Sequence, residues 1–361
     1  MHTPSRSLPT ETAPLRCFIG TYTDQAGGRG IYTSRFDPEK GTLEKPRLVA
    51  ECDNPTFLAI HPDEPYLYAI GKFPKGMVRA FQYNQQNGHL VLLNEQELPG
   101  YGPCHLVVCS SRESNADAVV VANYGSGNVV SFPILADGKI GKVASDIIHT
   151  GSGPNTARQQ TPHVHGVYFD GSTVAAVDLG IDQVMYYPID LATAELSPSM
   201  DHSPLRLSAG AGPRHLAVSQ DQRFVYVINE LDSTISVFDR SVLMQNVSTL
   251  PAGKNASVVN NLPAEIELHP SSKFLYASNR GDDSIAVFAV NQGKLTLIQS
   301  VPSGGKTPRF FCLDPTARFL LVCNQDTGNL CVFAVNQETG VLTQTEQRIN
   351  VPKPACLVFA P

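Results

Sequence analysis

The sequence predicts an all-β protein: a seven-bladed β-propeller of four-stranded antiparallel blades, its ring closed by the C-terminal strand joining the N-terminal blade. Three observations predict it. A proline opens a short apolar run seven times, each unit then repeats the same internal punctuation, and the two chain ends are complementary pieces of one unit. Units of this period stack, because a small sheet cannot bury its apolar faces alone.

The prolines are Pro55 (NPTFLAIHP), Pro103 (GPCHLVV), Pro162 (TPHVHGV), Pro213 (GPRHLAV), Pro263 (LPAEIELHP), Pro308 (TPRFFCLDP) and Pro354 (KPACLVFAP), at intervals of 48, 59, 51, 50, 45 and 46 residues. The stretch 212–230, GPRHLAVSQDQRFVYVINE, shows the unit clearly: two apolar runs split by a polar turn, which reads as a β-hairpin. Sixteen residues after the proline comes a small or turn-forming residue: Gly71, Asp178, Asn229, Asn279 and Asn324. Asn123 comes later because SSRESNAD lengthens its hairpin. Nine residues beyond stands an aromatic in five units, Phe132, Tyr187, Phe238, Phe288 and Phe333, and then a Gly-x-Leu-like start such as GKI at 138 or GKL at 293. Each unit thus holds four short strands joined by turn chemistry, the pattern of a propeller blade.

The last unit stops at Ala360-Pro361, after one strand, whereas the chain begins with LRCFIGTY, which matches the second strand of a unit. Together they complete one blade and remove a free edge. Residues 15–361 are therefore expected to form a single propeller domain, behind a polar, Pro/Thr-rich tail over 1–14 expected to be disordered.

Composition narrows the function. Apolar content of 42% supports a large core, and a net charge of −6 argues against nucleic acid or an anionic membrane as partner. No apolar run is long enough to span a bilayer, and the first residues lack the apolar segment of a secretory signal. The eight cysteines are scattered with no C-x-x-C, which reads as buried free thiols in a reducing, cytoplasmic setting. A monomer or weak oligomer is expected.

In such a ring the start of each innermost strand and the end of its antiparallel neighbour share one mouth. The flanks of these positions repeat, but the positions themselves diverge toward His, Arg, Glu and Lys, which points to a shaped polar site. His163-x-His165 is expected on a strand with both imidazoles on one side. Counted from the prolines, position 165 matches Leu, Ile or Phe elsewhere, so an imidazole is anomalous there as core. Arg214 and Glu230 fall on adjacent strands of one blade and can meet. Arg280, Arg309 and Lys72 would join Arg214 in a positive mouth on an acidic protein, an arrangement that attracts a small anionic ligand. His105 and His215 follow two other prolines at the same rim. The Asn/Asp series (Asn123, Asp178, Asn229, Asn279, Asn324) fits strand-end capping better than a Ca²⁺ cage, which the arginines would repel. Adjacent Cys104 and His105 point opposite ways on a strand and make a poor nucleophile pair. G-x-S-x-G, P-loop and G-x-G-x-x-G motifs are absent.

These stretches, together with FIGTYT (18–23), VANYGSGNV (121–129), VDLGIDQV (177–184), VINELDSTISVF (227–238), LYASNRGDDSIAVF (275–288) and NQDTGNLCVF (324–333), resemble the lactonase family of seven-bladed β-propellers over nearly the whole chain. That family includes propeller-type 6-phosphogluconolactonases and carboxy-cis,cis-muconate lactonizing enzymes. The resemblance implies a metal-free, cofactor-free enzyme acting on a small anionic lactone, with His165 (or His163), Arg214, Glu230 and Arg280 as catalytic residues. His163, His105, His215, Arg309 and Lys72 are the candidates for holding substrate. Two sequence departures are PHVH, where members often read PHAH, and GKF at 71–73, where Asn-Glu is common. Hydrolysis is the first expectation, with Glu230 or His165 as general base. Muconate cyclisation and a non-enzymatic scaffold are the alternatives.

Overall fold

The computed structural model describes residues 14–23, 27–71, 75–111 and 116–361, and these form seven antiparallel sheets with no helix among the described residues. Blade 1 comprises strands Leu58–Ile60, Tyr66–Gly71, Met77–Tyr83 and Leu90–Glu97. Blade 2 comprises Pro103–Cys109, Asp117–Asn123, Asn128–Ile134 and Ser145–Ile148. Blade 3 runs Val164–Phe169, Thr173–Asp178 and Gln183–Asp190, with a split outer strand, Glu195–Leu196 and Leu205–Arg206. Blades 4, 5 and 6 begin at Pro213, Leu262 and Pro308 and end at Ser248, Pro302 and Asn350. In blade 7 Pro354–Phe359 pairs with Leu15–Thr21, which pairs with Gly30–Asp37. The ends therefore close one sheet, as their complementarity predicted. Residues 1–13 of the expected tail, Lys72 and part of the SSRESNAD insert lie outside the described residues.

Each innermost strand touches the next, and that of blade 7 touches that of blade 1, so the sheets form a closed ring. The apolar core is correspondingly divided into seven clusters, each shared by two neighbouring blades. The recurring aromatics supply their bulk: Phe132, Phe238, Phe288 and Phe333 are wholly or almost wholly buried. Each contributes about 2–3 kcal/mol of burial. The Gly-x-Leu turn has a packing reason as well. Gly293 has a φ of 79°, and a Cβ there would meet the Phe224 ring of the neighbouring blade at 2.3 Å.

One local irregularity recurs and governs the site. The register between first and second strands slips at the start of blades 2 to 7: between Pro103 and His105, Val164 and Gly166, Pro213 and His215, Pro263 and Ile266, Pro308 and Phe310, and Pro354 and Cys356. These are β-bulges, which re-aim a side chain and free it from the alternation of the strand. The bulged positions are Cys104, His165, Arg214, Ala264, Arg309 and Ala355.

This register corrects the alignment of blade 3. Val164 pairs with Asp178 as Pro213 pairs with Asn229, so His165 is the counterpart of Arg214 and Gly166 that of His215. His165 does not replace a core Leu or Phe. Counting from Pro162 slips by two because the blade 3 hairpin spans only 170–172, where blade 4 uses 219–223. The strand alternation expected to align His163 with His165 fails for the same reason: His163 precedes the strand, and His165 is its bulge.

Candidate functional site

Two layers of largely buried side chains stand where the innermost strands begin. The bulged residues form the upper layer. The next residues inward form the floor: Phe57, His105, Gly166, His215, Glu265, Phe310 and Cys356. The floor is closed by rings. Phe57 lies 4.0 Å from His105, 6.3 Å from His215 and 5.9 Å from Phe310, centroid to centroid, and His105 lies 5.0 Å from His215. At Gly166 the missing side chain leaves room for Tyr168, whose ring would lie 2.9 Å from a Cβ there and which stands 5.1 Å from His105.

Above the floor a single carboxylate gathers three guanidiniums. Glu230, 4% exposed, accepts hydrogen bonds from Arg158 Nη2 and Arg280 Nη2, each at 2.6 Å, and its Oε2 lies 3.3 Å from Arg214 Nε. Burial alone would raise the Glu230 carboxyl, but Arg280, Arg214 and Arg158 outweigh it and hold the group at about 2. Arg280 is further fixed by donating from Nε to Leu262 O at 3.0 Å, and Arg214 by donating from Nη1 to Ala264 O. Burial and the neighbouring Arg280 and Arg309 push Arg214 down to about 10, still a cation at neutral pH. Arg309 has no carboxylate partner among the described residues; its guanidinium carbon lies 5.5 Å from the Tyr22 ring. Three guanidiniums thus hold one ionised carboxylate, and Arg309 stands beside Arg214 and Arg280 without a carboxylate of its own among the described residues.

Arg158 escaped the sequence reading because it belongs to no strand. It sits in the connection between blades 2 and 3, where Asn155 accepts from the Arg158 and Gln159 amides, and fully buried Gln159 donates to Leu179 O and Asp182, both at 2.8 Å. That anchored turn presents Arg158 to Glu230 and to Tyr124 Oη, at 3.1 Å. The only signal available was the unusually long interval between Pro103 and Pro162.

The histidines divide in role. His163 stacks on Tyr124 at 4.4 Å, and its Nδ1 bonds Tyr124 O at 2.7 Å. His165 is buried, meets Tyr124 edge-on at 5.6 Å and His215 at 5.3 Å, and has no hydrogen-bond partner on Nδ1 among the described residues. Burial, together with Arg214, His215, Arg309 and Arg280, holds its imidazole neutral, well below the ordinary histidine range. His105 and His215 are held neutral likewise, first by burial. The Cys104 thiol donates to backbone carbonyls of Val164 and His165, at 3.5 and 3.3 Å.

No group of three or more His, Cys, Asp or Glu side chains among the described residues is arranged to hold a metal ion. The Asn/Asp series caps strand ends: Asn229 donates to the hydroxyls of Thr234 and Ser236, at 2.8 and 2.9 Å, and the other members bond backbone. Asn123, Asn279 and Asn324 donate to Pro99 O, Thr249 O and Ser303 O, and Asp178 accepts from the His163 and Gly180 amides. All eight cysteines are free, and no helix is long and apolar enough to cross a membrane.

Comparison with known proteins extends this description. Residues 16–359 match the family model described as lactonase, 7-bladed beta-propeller. A Bacillus subtilis protein named 6-phosphogluconolactonase is 38% identical over 353 residues, covering 95% of this chain and 97% of that protein. The crystal structure of a Lactobacillus plantarum protein superposes with a TM-score of 0.88 at 34% identity, covering 97% of this chain and 100% of that one. The Pseudomonas aeruginosa periplasmic gluconolactonase superposes with a TM-score of 0.86 at 29% identity, covering 97% and 99%.

Proposed function

This chain belongs to the lactonase family of seven-bladed β-propellers, and from that premise we propose that it hydrolyses a sugar-acid lactone bearing an anionic group, with 6-phosphogluconolactone as the leading substrate. The observation that carries the reading is a buried guanidinium cluster in which Arg309 has no carboxylate partner among the described residues, beside a neutral histidine whose Nδ1 has no hydrogen-bond partner among them.

Arg309 is the group left to bind the phosphate or carboxylate of the substrate. Arg214 and Arg280, held in place by Glu230, face the lactone carbonyl and stabilise the oxyanion that forms there. His165 accepts a proton as water adds its oxygen to the carbonyl carbon. Collapse of the tetrahedral intermediate breaks the bond to the ring oxygen, which takes the proton back from the imidazolium. Glu230 is a poor general base in this scheme. Three guanidiniums hold it ionised at about 2, so it has little affinity for a proton at neutral pH. Its part is to aim the arginines. The eight free cysteines support a reducing, cytoplasmic setting, with the protein acting as a monomer or weak oligomer.

The test is hydrolysis of 6-phosphogluconolactone above its spontaneous rate, with and without a chelator. The expected result is a catalysed rate that chelation leaves unchanged. Folded protein that does not accelerate the reaction would overturn the proposal, and turnover of a carboxymuconate instead would redirect it to cyclisation.

A further inference from the structure

Beneath Arg214 lies a buried pair that the mechanism above does not use. Glu265 occupies the floor position of its blade and is 7% exposed. Its backbone amide donates to Ser278 Oγ at 3.0 Å, in place of a regular ladder bond across the bulge. Its Oε1 is 2.9 Å from His215 Nδ1 and also accepts from the Ile266 amide at 3.1 Å, so the carboxyl group has little freedom to rotate. His215 in turn is 2% exposed and fixed between the rings of His105 and His165. Arg214 Nη1 stands 3.3 Å from both nitrogens of the His215 ring. Equal distances to the two nitrogens place it over the ring face, because an in-plane approach at that range would collide with the carbon between them. A cation over a neutral imidazole face is attracted; over an imidazolium it is repelled.

We propose that Glu265 is a positioning residue for the reaction. Through its hydrogen bond it fixes the His215 ring, and the face of that ring supports the Arg214 guanidinium from below while Glu230 aims it from the side. Burial, against the opposing pull of Arg214, raises the Glu265 carboxyl to about 8, so the pair is held neutral and His215 keeps the face that Arg214 needs. This inference rests on the lactonase reading for its kinetic consequence, not for its geometry.

The experiment compares Glu265→Ala and Glu265→Gln, with His215→Phe as the background for a double-mutant cycle. Glu265→Ala is expected to lower kcat on the order of 10- to 100-fold with KM within threefold, the cost of a slightly misplaced catalytic group. Glu265→Gln, which keeps a carbonyl for the His215 N–H, is expected within threefold of wild type. In the His215→Phe background the effect of Glu265→Ala is expected to vanish, since the intermediary is gone. Wild-type kcat in Glu265→Ala, equal losses in the Ala and Gln variants, or additive effects in the cycle would each overturn the proposal. If the alanine variant does not fold, the cycle is run with Glu265→Gln and Glu265→Leu. A readout independent of turnover is the ¹⁵N spectrum of the histidine side chains. His215 is expected as one neutral tautomer in wild type, and as a mixture of the two neutral tautomers in Glu265→Ala. An unchanged His215 signal would refute the contact even if no lactone is hydrolysed, whereas a changed signal in a protein without lactonase activity would sink only the functional reading.

Discussion

Replacing Glu230 with glutamine tests the electrostatics of the arginine cluster most directly. The side chain keeps its shape and loses only its charge, leaving Arg158, Arg214 and Arg280 crowded around a neutral amide. The structure gives the magnitude. Folding lowers the Glu230 carboxyl from an ordinary 4.5 to about 2, which corresponds to about 3 kcal/mol of stability. Removing one partner of a buried ion pair independently costs about 3–5 kcal/mol. The sign also follows. A carboxyl depressed by folding contributes its full stabilisation above pH 4.5 and loses it as pH falls toward 2. The assay is equilibrium urea unfolding of wild type and Glu230→Gln from pH 7 down to pH 2. The expected difference is about 3 kcal/mol at pH 7, shrinking to nothing near pH 2. Inorganic phosphate, which can replace the missing negative charge, is expected to restore part of the loss at pH 7. A variant less than about 1 kcal/mol weaker at neutral pH, or a difference that does not shrink with acid, would refute the assignment of Glu230 as the counter-charge of three arginines.

Arg309→Met should raise KM for 6-phosphogluconolactone 10- to 100-fold with kcat within threefold, and leave hydrolysis of unphosphorylated gluconolactone unchanged; equal losses on both substrates would show that Arg309 does not read the anion. His165→Asn should lower kcat by roughly 10²–10⁴, the usual worth of a general base. Because burial and the nearby arginines keep the His165 imidazole neutral, the acidic limb of wild-type kcat/KM should lie below pH 6.5, and a limb above that value would contradict its role. Truncation after Val351 removes the strand Pro354–Phe359 and exposes the edge of Leu15–Thr21, so the protein should lose cooperative unfolding and aggregate. A soluble truncation with a sharp transition would mean that ring closure is not what holds the ends.

The sequence by itself determined the blade count, the closure of the ring by its two termini and the identity of most rim residues. Each of these depends on local chemistry repeated in order: a proline at the inner strand, turn residues after the second strand, an aromatic nine residues on. Such signals survive because hairpins and their apolar faces form between neighbours in the chain. Arg214, Glu230 and Arg280 were legible as departures from that repetition, whereas His165 stood out through an alignment that the strand register corrected. The sequence misjudged the register of blade 3, because a hairpin shortened by two residues shifts the first strand against its proline while leaving the apolar pattern and the end of the second strand in step.

Only the tertiary structure decided what the rim residues do. Spacing along one blade says nothing about distances between blades, so it could not show that Glu230 is saturated by three arginines, that one of them is Arg158 from an irregular connection, or that Arg309 has no carboxylate partner among the described residues. Nor could it reveal that Glu265 sits beside His215 with its carboxyl pushed toward neutrality. Charge state here is set by burial and by the sum of fields from four blades, and those quantities exist only once the ring has closed.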